Sequence, residues 1–230
     1  MPHPAPPAEA TRSRILDVAE QLVQTRGFNG FSYADISAEL GITKASLHYH
    51  FATKAELGRT LVTRYTDGFG AALERIATTF ADARAQLRAY VELYCSVLRE
   101  ERLCLCGMVA AEYATLPHPM QEALRVFFEL NERWLTQLLE AGERAGTLAL
   151  RTSGAEAARM LVGALEGEML VARAYGDPAR FSAAAELLLT QLEDGHDRSA
   201  PARVRGARGA RRGAARAKKA GTRRARVRPA

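Results

Sequence analysis

Proline is missing from residues 8–116 of this 230-residue chain, although nine prolines occur elsewhere. A gap that long removes the strongest interrupter of helices, and the residues that fill it are rich in Ala, Leu, Glu and Arg. Cysteine is scarce as well. Cys95, Cys104 and Cys106 are too few and too clustered for a disulfide framework, which points to a reducing cytoplasm. No run of about 18 uncharged apolar residues occurs, which excludes a transmembrane helix and a membrane partner. The opening stretch, Met1 to Pro7, has neither a basic nor an apolar segment, which argues against a secretory leader. Alternating β-branched runs and hairpin dipeptides are also lacking. So are a phosphate loop, a metal-ligand triad and a nucleophile elbow, so the chain carries no signature of an enzyme and asks for no cofactor.

Acidic residues are absent from 198–230, where 13 Lys and Arg stand unopposed. The 197 residues before them hold 19 bases against all 26 acids, so the net charge of +6 averages an acidic body and a basic tail. The tail, from about residue 196, consists mostly of Ala, Arg, Gly and Lys with almost no large apolar group. It lacks the surface to offset its ordering entropy and is expected to be disordered, as are residues 1–10. A polycation of this kind would attract DNA phosphate, and an architectural protein that coats DNA through its tail is the alternative reading of the chain.

What remains reads as helices. Between Thr11 and Arg26, the residues Ile15, Leu16, Ala19, Leu22 and Val23 form one apolar stripe, with Thr11 placed to cap it and Gly27 to end it. A short helix follows Ser32 and stops at Gly41; a third begins at Thr43 and runs to Phe51. Thr53-Lys54-Ala55-Glu56 has the form of a capping box opening a long fourth helix, along which Leu57, Leu61, Tyr65, Phe69, Leu73, Ile76 and Phe80 keep a helical spacing. Further helices are expected at about 82–101, 104–115, 119–145, 153–175 and 178–194, bounded by Pro117, Pro119, Gly146 to Gly154 and Gly176-Asp177-Pro178. The expected fold is all-α, with a head at 11–55 and a helical body at 56–195.

Residues 31–54 carry the chemistry. They read as helix, tight turn at Gly41, helix, with Ile36, Leu40, Ile42 and Leu47 turned inward to fix the angle between the two helices. The second helix then presents Thr43, Lys44, Ser46, His48, Tyr49 and His50 outward, a polar and aromatic set without a carboxylate. Such a face tolerates phosphate, and a helix has the diameter to enter a DNA major groove. Ser32, Thr43 and Thr53 are expected to serve as caps as well as phosphate contacts, with caps alone as the alternative, and Phe51 as core.

This segment resembles the DNA-binding head of the TetR family of bacterial transcriptional regulators. The resemblance lies in Ala34-Asp35-Ile36, in Leu40-Gly41-Ile42 and above all in Leu47-His48-Tyr49-His50-Phe51 followed by Lys54 and Leu57, and it extends over about residues 11–60. Ala45 and His48 depart from the Gly and Tyr frequent at those places. The resemblance implies a helix-turn-helix repressor, cytoplasmic and homodimeric, that binds a double-stranded DNA operator through Ser32, Thr43, Lys44, Ala45, Ser46, His48, Tyr49, His50 and Lys54. It also implies a body that binds a small-molecule effector, shifts the long fourth helix and so changes the separation of the two heads. Those heads must sit about 34–36 Å apart to engage successive turns of the duplex.

Three other groups bear on the body. Cys104 and Cys106 open a helix behind Glu100-Glu101-Arg102, where a helix N-terminus would make a thiol reactive toward oxidants or electrophiles. The alternatives are inert packing and, with His118, a zinc site. Met108, Tyr113, Phe127, Phe128, Trp134, Met160, Met169 and Tyr175 are available to line an effector pocket, and Glu112, Glu166 and Glu168 to hold a polar or cationic group, with Glu168 the chosen candidate. The last two helices are expected to build the dimer interface, small residues (Ala155, Ala158, Gly163, Ala164, Gly167) letting helices approach and Leu161, Leu165, Phe181, Leu188 and Leu192 adding bulk.

Overall fold

Hydroxyl and carboxylate caps set the helix boundaries of the N-terminal part. In a computed structural model of the chain, which describes residues 8–193, the helices are α1 (Ala8–Arg26), α2 (Tyr33–Leu40), α3 (Lys44–His50), α4 (Lys54–Thr79), α5 (Ala83–Arg99), α6 (Leu105–Ala111), α7 (His118–Arg144), α8 (Gly154–Ala174) and α9 (Pro178–Glu193). A 3-10 turn at Tyr113–Thr115 lies between α6 and α7, and no strand occurs among the described residues. The expectations for residues 1–7 and for the basic tail lie outside the described residues. No helix among those described is long and apolar enough to cross a membrane.

Ser32 caps α2 in a reciprocal box with Asp35, Thr43 caps α3 by accepting from the Ser46 amide at 3.1 Å, and Thr53 caps α4 by accepting from Glu56 at 3.1 Å. Gly41, at φ +64°, turns the chain between α2 and α3 in a conformation that costs other residues a steric penalty. Ile15, Ile36, Leu47 and Phe51 are fully buried where α1, α2 and α3 meet. These three helices form the head. In the body α7 packs most extensively on α8 and on α4, and α9 lies against α8 and α5.

Several boundaries differ from the sequence expectation. α1 begins at Ala8, so Thr11 lies within its first turn and residues 8–10 are helical. The expected head–body boundary at residue 55 falls inside α4, which is continuous from Lys54 to Thr79 and joins both parts; Phe80 caps its end rather than filling the core. The helix expected over 104–115 breaks at Ala111, because Glu112 turns back to accept from the Asn29 amide and the chain tightens into the 3-10 turn. Leu161, Leu165 and Phe181, expected at a dimer interface, are buried inside the protomer.

Candidate functional site

Outward side chains on α3 follow from its inward ones. Leu47 and Phe51, four residues apart, face the core, which leaves Lys44, Ala45, His48 and Tyr49 on the opposite side. Tyr49 is 82% exposed, a large ring with nothing covering it. His50 is half-buried and meets it edge-on, centroids 5.2 Å apart. α3 carries no acidic residue. The face is held rigidly from behind: the Tyr33 hydroxyl donates to the Phe51 carbonyl at 2.9 Å, and Arg12 lies over the Phe51 ring at 4.7 Å. Burial and the nearby Glu56 push the Tyr33 phenol up to about 12, so this donor keeps its proton.

Two of the expected DNA contacts do other work. The Lys54 ammonium is half-buried, donates to the Phe28 carbonyl at 2.6 Å and to the Phe31 carbonyl, and sits over both phenyl rings. It ties the α1–α2 loop to the start of α4. His48 lies against the Tyr33 ring, centroids 4.8 Å apart, with Nδ1 3.2 Å from the Ala52 carbonyl, which commits that nitrogen to the protein. Ser32 has its hydroxyl engaged with Asp35 at 2.7 Å. Thr43 and Ser46 are joined as cap and capped residue, while Lys44, Ala45 and Tyr49 remain exposed.

The body contains one aromatic wall. Tyr65 and Phe69 from α4, Tyr90 and Tyr94 from α5, and Phe127, Phe128 and Trp134 from α7 contact one another at centroid distances of 5.1–6.4 Å. Within it Asn131, fully buried, accepts from Tyr90 at 2.8 Å and donates to Tyr94 at 3.3 Å, which leaves Tyr94 to donate to Tyr90 at 3.0 Å. Beside this closed triangle Tyr65, Phe69, Leu93, Tyr94, Val97, Cys104 and Met169 enclose a void of about 10 Å³, the space of a single water.

Cys104 is the N-cap of α6, as the sequence suggests, but both thiols of this pair are buried. Burial pushes Cys104 and Cys106 well above the ordinary thiol range, the nearby Glu166 carboxyl adding to it. A helix terminus is worth about 2 kcal/mol at most, whereas burying an anion costs several, so burial outweighs the expected activation of the thiols. Zinc is also set aside, because the exposed His118 pairs with Glu122 at 3.5 Å on the first turn of α7 while both thiols are enclosed. No cluster of three potential metal ligands occurs among the described residues. Tyr113 and Glu168 are not gathered with the rest: Tyr113 is exposed in the 3-10 turn and Glu168 is half-buried, on the side of α8 opposite Glu166. Met108 and Trp134 are half-buried against the core, Trp134 stacked on Tyr90 at 5.7 Å.

Of the three glutamates that the sequence offers for a polar or cationic group, Glu166 and not Glu168 is the one whose carboxyl is enclosed. Glu166 on α8 folds its carboxyl onto Gly107 of α6, so closely that a Cβ at Gly107 would stand 2.1 Å from Oε2. Its Oε1 is enclosed without a hydrogen-bond partner among the described residues, and burial raises its pKa to about 7. The bare side chain of Gly107, between Cys106 and Met108, was the only trace of this contact in the sequence.

A small capped helix-turn-helix with an uncovered cationic and aromatic face, set on a larger helical body, is the build of a DNA-binding transcriptional regulator. Residues 15–59 match the family profile described as "Bacterial regulatory proteins, tetR family", and residues 83–188 match "Tetracyclin repressor-like, C-terminal domain". A TetR-family transcriptional regulator from Agrobacterium tumefaciens superposes with a TM-score of 0.79 at 33% identity, over 81% of this chain and 100% of that one. The chain is also similar to the transcriptional activator FasR of Mycolicibacterium smegmatis, 25% identical over 48% of this chain and 51% of FasR, and so spans about half of that relative's length. The transcriptional repressor KstR2 of Rhodococcus jostii is 30% identical over 37% of this chain and 45% of its own. This chain belongs to the TetR family, a family of transcriptional regulators rather than enzymes.

Proposed function

We propose that the protein is a sequence-specific, effector-responsive repressor that reads a double-stranded operator through α3 as a cytoplasmic homodimer. Lys44, Ala45 and Tyr49 meet the DNA directly. Thr43, Ser46 and His50 frame that surface, and Ser32, His48 and Lys54 hold it in place. The observation that carries this reading is the exposure of Tyr49 on a helix whose every inward side chain is fully packed. A ring left bare on a rigid, carboxylate-free face stabilises nothing in the protein alone.

The dimer is supported by a second surface. Along α8, Met160 (69% exposed), Gly163, Gly167, Leu170 and Val171 face outward, and on α9 Leu187 is 66% exposed. A Cβ at Gly163 or Gly167 would meet nothing within 4 Å, so a partner helix can come close there. A small molecule is the effector. Electrophile sensing through Cys104 or Cys106 is disfavoured, because both thiols are buried and hold their protons.

The test is selection of bound sequences from a randomised duplex pool with the full chain, followed by titration of the selected duplex. Tyr49→Ala should weaken binding about tenfold or more while leaving the fold and the oligomeric state intact, and Lys44→Ala should lower the salt slope by about 1. Equal affinity of both variants and the parent for the selected duplex would remove α3 from the interface.

A further inference from the structure

Glu166 presents a physical problem that the fold leaves unsolved. Its Oε1 is shut away from water without a hydrogen-bond partner among the described residues, a condition shared there only by the Ser37 hydroxyl, whereas the fully buried Asn131 is paired through both amide atoms. The groups that face it are Tyr65 from α4, Tyr90 and Tyr94 from α5, and Cys104 and Cys106 from α6, each of which senses its charge. None of these is basic, and no ion pair reaches Glu166 among the described residues. Cys104, beside its carboxyl, also lines the small void, together with Tyr65, Phe69 and Tyr94. An enclosed carboxyl with a weakly donating thiol beside it and no basic group, next to the π-faces that line the void, forms a recognisable chemical pattern.

We propose that Glu166 is the acceptor for a positively charged effector, an arylalkylammonium whose N–H donates to Oε1 and whose apolar body lies against the rings of Tyr65, Phe69 and Tyr94. The assignment rests on the effector-responsive reading above and names the chemical class of the effector. An inorganic cation is a poor candidate, since no cluster of three ligands is present among the described residues. The void holds about one water, so the cleft is closed when empty, and an occupant must push Tyr65 and Phe69 aside. Both stand on α4, the helix that follows α3 in the chain and whose first residue, Lys54, is tied to the α1–α2 loop of the head. The same event therefore fills the cleft and moves the support of the DNA-reading face.

Proton accounting gives the proposal a signature. The carboxyl titrates at about 7 in the empty protein, and an ammonium selects its ionised form, so binding below that pH expels a proton. Affinity for the cation should rise with pH up to about 7 and level off above it.

The experiment is calorimetric titration of the full chain, without DNA, with a homologous series beginning at 2-phenylethylammonium, each member paired with its neutral alcohol. At pH 8 the parent should bind at least one ammonium ten times or more tightly than the matching alcohol. At pH 6 the observed heat should depend on the ionisation enthalpy of the buffer. Glu166→Gln, and Glu166→Met as a second replacement of similar volume, should erase the preference while still binding the selected duplex. Equal affinity for alcohol and ammonium, a preference that survives both substitutions, or no binding by any member of the series would overturn the assignment. If the parent takes the cation but binds no duplex, the proposed function fails and the cation site stands.

Discussion

Replacing Glu166 by Gln should change the pH dependence of stability in a way that isolates this one carboxyl. In the unfolded chain the group titrates near 4.5, and in the folded protein burial raises it to about 7. Between these values the native state keeps a proton that the unfolded state has released. Stability therefore falls as pH rises through this window, by about 1.4 kcal/mol for each pH unit. The accumulated loss reaches about 3 kcal/mol at pH 7 and stays constant above it, while below 4.5 the residue contributes no pH-linked penalty. Glutamine cannot ionise, so whatever its neutral amide costs against Gly107 is the same at every pH. The difference in unfolding free energy between variant and parent should thus grow steadily in favour of the variant from pH 5 to 7 and then flatten. Urea unfolding followed by far-UV circular dichroism measures it, at one fixed protein concentration because dimerisation contributes to stability. Taking the difference cancels the other titrating groups. A difference that stays level from pH 5 to 8 would show that water reaches the carboxyl, and the argument from burial would fail.

Two further substitutions probe the joint between head and body and the contact of α6 with α8. Arg173 on α8 donates to the carbonyls of Thr25 at 2.7 Å and Gln24 at 3.2 Å, so Arg173→Met should cost about 1–2 kcal/mol in urea unfolding. An unchanged midpoint would mean that water replaces the guanidinium without loss. Gly107→Ala forces a methyl to within 2.1 Å of Glu166 Oε2 and should destabilise by about 1–3 kcal/mol. Combined with Glu166→Ala most of that cost should disappear in a double-mutant cycle, and simple additivity would refute the clash.

How much of this was legible in the sequence depends on the range of the interaction. The caps at Ser32, Thr43 and Thr53, the left-handed Gly41 and the buried Phe51 act within a few residues, and each was readable from its neighbours. The bracing of Lys54 is not legible, because the carbonyls that hold it belong to Phe28 and Phe31, 26 and 23 residues away, and a lysine beside a recognition helix looks the same whether it points out or in. Glu166 and Glu168 differ by two positions on one helix, about 200° of rotation, and only the packing of α6 decides which is enclosed. Leu161, Leu165 and Phe181 carry the same ambiguity: an apolar stripe serves an inner core and an outer interface equally well in sequence, and the inner core claimed these three. The thiols were placed correctly at the start of α6, and there the sequence shows the dipole but not the burial that outweighs it.

The fastenings of the head are unevenly distributed, and this decides what an occupant of the body can move. The C-terminal end of α1 is tied to the body repeatedly. Arg173 holds the Gln24 and Thr25 carbonyls, Leu103 donates its amide to the Gln24 carbonyl at 3.2 Å, Arg102 reaches the Gln24 side chain at 2.9 Å, and Glu112 accepts from the Asn29 amide at 3.1 Å. That end is a fixed point. α4 is a single uninterrupted helix, and Tyr65 and Phe69 lie 11 and 15 residues beyond Lys54, about 17 and 23 Å along the axis at 1.5 Å per residue. On the proposed reading, a push on those rings should act on a long lever whose other end, at Lys54, follows α3 and is tied to the Phe28 and Phe31 carbonyls, while the α1 terminus stays where it is. On the same reading, such loading should rotate the head about its tethered corner instead of translating it.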